Sequence, residues 1–126
     1  MCRVLVAEDD AEMRRLVIEA LWKDGHSVLE VVDGRALLEM LLRALAREPG
    51  AGIDVVVSDL RMPGVSGLEV AEHLACARQR FPFVLMTAFG DVEVRRRADA
   101  IGAVLLEKPL SLAELRNAVL KLAVAL

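Results

Sequence analysis

A doubly wound α/β fold, one parallel sheet with helices on both faces, is predicted by two features of the 126-residue sequence. Short runs rich in Val and Leu alternate five times with amphipathic segments. The most central of those runs, IDVVVS at 53–58, is apolar on both faces. Two-sided apolarity is what a buried strand of a parallel sheet requires. Parallel neighbours in turn need right-handed crossovers, which helices supply. The length suits one domain with one core, so residues 1–126 are read as a single unit.

The elements follow in order. Arg3 to Ala7 reads as the first strand. Met13, Leu16, Val17, Ala20 and Leu21 share one face of a helix from about Ala11 to Asp24. Gly25 stands where a helix C-terminal glycine belongs. His26 to Val32 is the second strand, and Asp33 can cap a helix from Gly34 to about Glu48, stopped by Pro49-Gly50. Strand three is Ile53 to Ser58. Ser66-Gly67-Leu68-Glu69 is a capping box that opens a helix to about Arg80. Pro82 to Met86 is strand four, Asp91 to Ile101 a helix ended by Gly102, and Ala103 to Leu106 strand five. Ser111-Leu112-Ala113-Glu114 is a second capping box, opening the last helix. For a sheet of this size the expected strand order is the flavodoxin-like 2-1-3-4-5, with ligands outside the carboxyl ends near the switch between strands one and three.

Composition narrows the function classes. Apolar residues make up 56% and aromatics 3%, so the core is built from Leu, Val, Ala and Ile. At 28% charged, the chain is too charged and too apolar to be disordered. A net charge of −3 gives no reason to expect direct nucleic-acid binding. Arg95-Arg96-Arg97 is flanked by Glu93 and Asp99 and reads as a solvated helix face. Cys2 and Cys76, with isolated His26 and His73, show no metal-ligand spacing and read as reduced thiols. No apolar run reaches about 18 residues, and the N-terminal residues lack the regions of a signal peptide. The expectation is a cytoplasmic protein without a membrane partner.

The polar residues at the strand ends carry the chemistry. Glu8-Asp9-Asp10 follows strand one, Asp59 strand three, Thr87 ends strand four and Lys108 ends strand five. Singly, each has an ordinary explanation: Asp10 as a helix N-cap, Asp59 as a turn residue before Pro63-Gly64, Thr87 as strand-end packing, Lys108 as a snorkelling lysine. Together they fall on one edge of the sheet, which packing does not require. Carboxylates gathered there repel unless a cation joins them, and hard oxygen ligands suit Mg²⁺. With a Lys and a Thr hydroxyl for phosphoryl oxygens, the set suits formation of an aspartyl phosphate.

Four stretches carry a family resemblance: V-A-E-D-D at 6–10, S-D-L-R-M-P-G-V-S-G at 58–67, M-T-A-F-G at 86–90 and E-K-P at 107–109. Along essentially its whole length the chain resembles the receiver domains of bacterial two-component response regulators, and T-A-F-G-D looks like those of NtrC-type regulators. The resemblance implies that Asp59 accepts a phosphoryl group from a sensor histidine kinase or phosphotransfer protein. Asp9 would ligate Mg²⁺ directly and Glu8 nearby, Asp59 would contribute a ligand, and the carbonyl of Arg61 would complete the set. Asp10 lies one place beyond the family's acidic pair. Thr87 and the backbone N–H of Ala88 would bond the phosphoryl group, and Lys108 would pair with it. Lys108-Pro109 resembles a family site where the peptide is cis. The role implied is a signalling phosphoacceptor, in a phosphorelay, that assists only its own phosphorylation and dephosphorylation.

The sequence departs from the family pattern in three places. The strand-five position usually held by an aromatic switch residue is Leu105, the interval Gly102–Lys108 is one residue short, and Gly34–Asp54 is long. The last suggests an extended second helix or a loop at Pro49-Gly50-Ala51-Gly52. Arg61 and Phe89 resemble positions that tune hydrolysis and are expected to slow dephosphorylation.

The last helix has a core face of Leu115, Ala118, Val119, Leu122 and Leu126, while Leu120, Val124 and Ala113 lie nearly opposite. These are either stray surface aliphatics or part of a homodimer or effector contact through helix 4, strand 5 and helix 5. Two other functions compete. A haloacid-dehalogenase-type phosphatase also uses a nucleophilic Asp but resembles D-x-D, whereas the site here reads Asp59-Leu60-Arg61. A receiver-like scaffold working without phosphorylation has Leu105 as its support. The chain, ending at the last receiver helix, reads as a stand-alone regulator or a piece of a longer one.

Overall fold

The structure, a computed structural model, describes residues 2–79 and 81–125. Five strands alternate with five helices: β1 (Arg3–Ala7), α1 (Ala11–Lys23), β2 (Ser27–Val31), α2 (Gly34–Leu45), β3 (Val55–Asp59), α3 (Gly67–Cys76), β4 (Phe83–Thr87), α4 (Val92–Ala100), β5 (Val104–Glu107) and α5 (Leu112–Val124). The strands form one parallel sheet in the order β2-β1-β3-β4-β5. The expected flavodoxin-like architecture is therefore present.

Alternation along the strands divides the core in two. Leu5, Ala7, Val56 and Leu85 face α2, α3 and α4, against Leu37, Leu41, Leu68, Leu74 and Ala98. Val4, Val6, Val55, Val57, Val84 and Met86 face α1 and α5, against Val17, Leu21, Leu115 and Val119. All five residues of β3 and of β4 are buried, as the apolar run at 53–58 foretold for the middle of the sheet.

Local signals set most helix starts. Asp10 caps α1, Asp33 caps α2 and Asp91 caps α4, each side chain accepting from backbone N–H groups one turn on. Ser66 and Glu69 form the reciprocal capping box of α3. At α5 one half of the expected box forms: Ser111 accepts from the Glu114 N–H, and no return bond is present among the described residues.

The helix ends required more correction. The second helix stops at Leu45, before Pro49, because Arg47 adopts a left-handed φ of 58° and the Glu48 N–H closes onto the Arg43 carbonyl. The long Gly34–Asp54 interval is thus a loop after α2 and not a longer helix. Arg3 fastens that loop, its backbone N–H donating to Asp54 and its guanidinium to the Gly50 carbonyl. The third helix likewise stops at Cys76, with Arg78 at φ 59°, and the expected end at Arg80 lies outside the described residues. Strand two is one residue shorter at each end than expected, and strands three to five are shifted by one or two residues, so that Asp59 and Thr87 close their strands and Lys108 follows β5 instead of ending it. His26 precedes β2 and is buried, accepting from the Cys2 N–H. Leu16 is 44% exposed, off the core face of α1, while Ile18 packs toward the core. Leu126 lies outside the described residues. Cys2 and Cys76 are free thiols, as expected.

Gly34, the first residue of α2, packs against the loop between β3 and α3. A Cβ there would stand 1.7 Å from the backbone oxygen of Val65. Alanine favours a helix interior over glycine by up to about 1 kcal/mol, whereas forced overpacking costs about 1–3 kcal/mol. The clash, against backbone, decides the sign. Gly34→Ala is expected to lower stability by about 1–3 kcal/mol, seen as a lower midpoint in urea unfolding.

Candidate functional site

The carboxyl ends of β1, β3, β4 and β5 meet at one rim. Backbone bonds carry the sheet a residue past its strand ends: the Leu60 N–H donates to the Met86 carbonyl at 2.7 Å, and the Lys108 N–H to the Thr87 carbonyl at 2.7 Å. Extended register of this kind brings residues that are far apart in sequence into one layer. Close packing fixes β3 from behind. Ser58 Oγ donates to the Asp59 carbonyl, and a Cβ on Gly67 would fall 2.4 Å from Ser58 Oγ and 2.6 Å from the Asp59 oxygen. Gly67 is thus more than a helix-start residue, which its place in the capping box did not reveal.

Glu8, Asp9 and Asp59 each offer a carboxylate oxygen, all within 4.8 Å of one another. Glu8 is fully buried, Asp59 nearly so and Asp9 exposed. Lys108 Nζ lies 3.4 Å from Glu8 Oε1 and 3.4 Å from Asp59 Oδ1. The expected cluster of Glu8, Asp9, Asp59 and Lys108 is thus assembled. Asp10 stays apart from it as the α1 cap, its own N–H donating to Glu8 Oε2 at 3.2 Å. The Lys108-Pro109 peptide is cis.

The electrostatics show a shortage of positive charge. Burial pushes the Glu8 carboxyl up from 4.5 to about 7; the Asp10 N–H and Lys108 oppose the rise and the charge of Asp59 adds to it. For Lys108, burial works against the ammonium, but Asp59 and Glu8 outweigh it and its pKa is raised. Three carboxylates face one lysine, so full ionisation leaves an excess of negative charge in a partly buried place.

Beside the cluster opens a cleft lined by Asp59, Leu60, Arg61, Thr87, Ala88, Phe89 and Lys108. Thr87, Ala88 and Arg61 thus reach the same cavity as Asp59. The Thr87 hydroxyl is engaged with its own loop, donating to the Phe89 carbonyl and accepting from the Phe89 N–H, both at 3.1 Å. Phe89 is 75% exposed at the mouth. Leu105 is far from aromatic behaviour: it pairs in register with Leu85 and packs into the cluster on the α2–α4 side.

One contributor was missed in the sequence. Arg14 of α1 donates from Nη1 to the Glu8 carbonyl at 2.9 Å and from Nε to Glu30 of β2 at 2.9 Å. In the sequence Arg14 is an unremarked polar residue of an amphipathic helix, and its partners become neighbours through strand pairing.

The last helix divides its apolar residues as expected: Leu115 and Val119 are buried, Ala118 and Leu122 pack against the core, and Ala113, Leu120 and Val124 are exposed. Ala113 and Leu120 line a groove with Asp24 and Arg116, beside α1, while the groove between β5 and α5 is lined by Val104, Leu106, Ala118 and Leu122 with polar neighbours. The arginine run is paired: Arg96 with Glu93, Arg95 with Glu107, and Arg97 with Glu72 of α3. No helix among the described residues is long and apolar enough to cross a membrane.

Residues 4–120 match the response regulator receiver domain. The chain is 37% identical over 107 residues to the transcriptional regulatory protein FixJ of Bradyrhizobium diazoefficiens, covering 84% of this chain and 49% of that protein. It is 39% identical over 114 residues to the transcriptional regulatory protein TcrA of Mycobacterium tuberculosis, covering 90% of this chain and 42% of that one. This chain therefore spans less than half the length of either relative. Among solved structures, the signal receiver domain of the putative response regulator NarL from Mycobacterium tuberculosis superposes with a TM-score of 0.80 at 32% identity, covering 97% of this chain and 95% of that one. With the acidic rim, the lysine and the sheet order all in place, the chain belongs to the receiver domains of two-component response regulators.

Proposed function

We propose that residues 1–126 act as one phosphoacceptor switch, receiving a phosphoryl group on Asp59 from a phosphohistidine of a sensor histidine kinase or phosphotransfer protein. The observation that carries this reading is Asp59 itself: a nearly buried carboxylate beside Lys108 and two further acids, lining an open cleft. An Asp59 oxygen attacks phosphorus, the phosphorus–nitrogen bond of the donor breaks, and the imidazole leaves with the electron pair. Lys108 stands where it neutralises a phosphoryl oxygen. Thr87, released from Phe89, and the Ala88 N–H are the donors for the others.

The three acids fit a hard divalent cation, since their oxygens already converge and lack compensating charge. Glu8, Asp9 and Asp59 would hold Mg²⁺ with the Arg61 carbonyl, and the ion would offset charge between the acceptor carboxylate and an incoming phosphoryl group. The proposed switched surface comprises α4, β5 and α5, and the groove of Val104, Leu106, Ala118 and Leu122 supports it as a contact for an effector or a second copy. Membrane and direct nucleic-acid partners are not part of the proposal, and the compartment is cytoplasmic.

With Mg²⁺ and a small phosphodonor such as acetyl phosphate, the chain is expected to gain one phosphoryl group by intact mass, and Asp59→Asn to gain none. Undiminished labelling of Asp59→Asn overturns the assignment. Continuous turnover of a generic phosphate ester favours the haloacid-dehalogenase-type reading instead.

The Glu8 carboxyl gives a pH dependence. Its pKa is higher in the folded chain, at about 7, than its ordinary 4.5. The folded state therefore holds that proton more tightly, and the associated stability is present in full below about pH 4.5 and lost as pH rises through about 7. Mg²⁺ must displace the same proton, so its affinity is expected to rise by at most about tenfold per pH unit below pH 7 and to level off above it. Calorimetry across pH 5.5–8.5 measures this, and Glu8→Gln should flatten the profile.

Arg61 and Phe89 flank the cleft and restrict the approach of water. Arg61→Ala and Phe89→Ala are each expected to shorten the life of phosphorylated Asp59, measured as loss of the phosphoryl mass with time; unchanged decay in both refutes the role.

A further inference from the structure

We infer that Arg14, clamped by Glu30, is a positioning residue for the acidic rim: it fixes the backbone of Glu8 and so sets how well the rim binds a divalent cation. The inference deepens the proposed function and rests on the reading of Glu8, Asp9 and Asp59 as a cation site. Its basis is the two-sided bond pattern of the Arg14 guanidinium. Nη1 donates to the Glu8 carbonyl and Nε to Glu30 Oε1, both at 2.9 Å. The Arg14 side chain is 17% exposed, against 56% for Glu30. A side chain this covered, with Nε on a carboxylate and Nη1 on a backbone carbonyl, is restrained at both ends of its fork. The planar fork of Arg serves two acceptors at once, which the compact ammonium of Lys does not reproduce.

What Arg14 holds is the turn from β1 into α1. Glu8 enters that turn with its N–H on the Val31 carbonyl of β2 and its side chain accepting from the Asp10 N–H. Asp10 then caps α1 through the Glu12 and Met13 N–H groups. The helix, its cap and the acid are thus linked, and Arg14 closes the loop from the helix back to the Glu8 backbone. Arg14 offers nothing to the cation directly, because a guanidinium is itself a cation with donors and no acceptor. Its effect passes through the placement of Glu8 and Asp9. Partners one layer behind a metal ligand typically change affinity by about 10–100-fold when removed. Glu30 acts through Arg14 alone, so its effect must vanish when Arg14 is gone.

The test is Mg²⁺ titration by calorimetry of the natural chain, Arg14→Ala, Arg14→Lys, Glu30→Gln and Arg14→Ala/Glu30→Gln, with Asp9→Ala as control. Amide hydrogen exchange at residues 8–10 without Mg²⁺ is a second readout. Arg14→Ala is expected to weaken Mg²⁺ by about tenfold and to speed exchange of the Asp10 amide while β3 and β4 amides stay protected. Arg14→Lys should recover part of the loss, Glu30→Gln should lose less than Arg14→Ala, and the double variant should match Arg14→Ala. Affinity within twofold of natural in Arg14→Ala, or losses that add in the double variant, overturns the inference. If Arg14→Ala does not fold, Glu30→Gln decides alone: several-fold weaker binding supports the clamp and natural affinity removes it. A natural chain that does not bind Mg²⁺, or an Asp9→Ala variant that binds it equally well, instead overturns the cation site on which the inference rests.

Discussion

The arrangement turns on carboxylates buried with too little positive charge beside them. Glu8 is wholly enclosed, Asp59 almost so, and both lean on the ammonium of Lys108 at 3.4 Å. In a low-dielectric setting such charges cannot be ignored by the rest of the molecule. Glu8 responds by holding its proton to about pH 7, and Lys108 by holding its own more firmly. The same cluster holds Asp59 in the lining of an open cleft, where the proposed phosphoryl transfer would need it.

The fold encloses the cluster from below. β3 and β4 are buried along their whole lengths, and Asp59 and Thr87 sit at their carboxyl ends. Gly67 lets α3 pack directly onto Ser58 and the Asp59 carbonyl. The backbone bonds from Leu60 and Lys108 to β4 extend the ladder to the residues of the rim. At the end of β4, Thr87 and Phe89 of the following loop hold each other through two bonds of 3.1 Å. Those bonds occupy the hydroxyl that the proposed phosphoryl contact would use. Leu105 is packed among aliphatics, and Arg95 of α4 pairs with Glu107 of β5.

Sequence reading succeeded where a local rule had a single outcome. Asp10, Asp33, Ser66 and Ser111 cap helices because their side chains reach their own backbone, whatever the tertiary context. The acids, Thr87 and Lys108 were placed on one edge because parallel crossovers bring every strand's carboxyl end to the same side. It failed where a non-glycine residue did a glycine's work. Arg47 and Arg78 end helices in left-handed conformations, for which the eye expects Gly or Asn. It failed too at Leu16, whose helical spacing suits the core face but whose position turns it outward.

The residues alone determined the sheet order, the members of the acidic rim and the family to which they point, since each depends on periodicity, capping or a run of contiguous motif. Tertiary structure decided what depends on meetings across the sheet. The Arg14–Glu30–Glu8 linkage joins α1, β2 and β1, and the separation of Ala113 and Leu120 from the β5–α5 groove follows from where α1 lies. So does the proton held by Glu8, because desolvation is a property of the enclosing atoms and not of the residue that bears the charge.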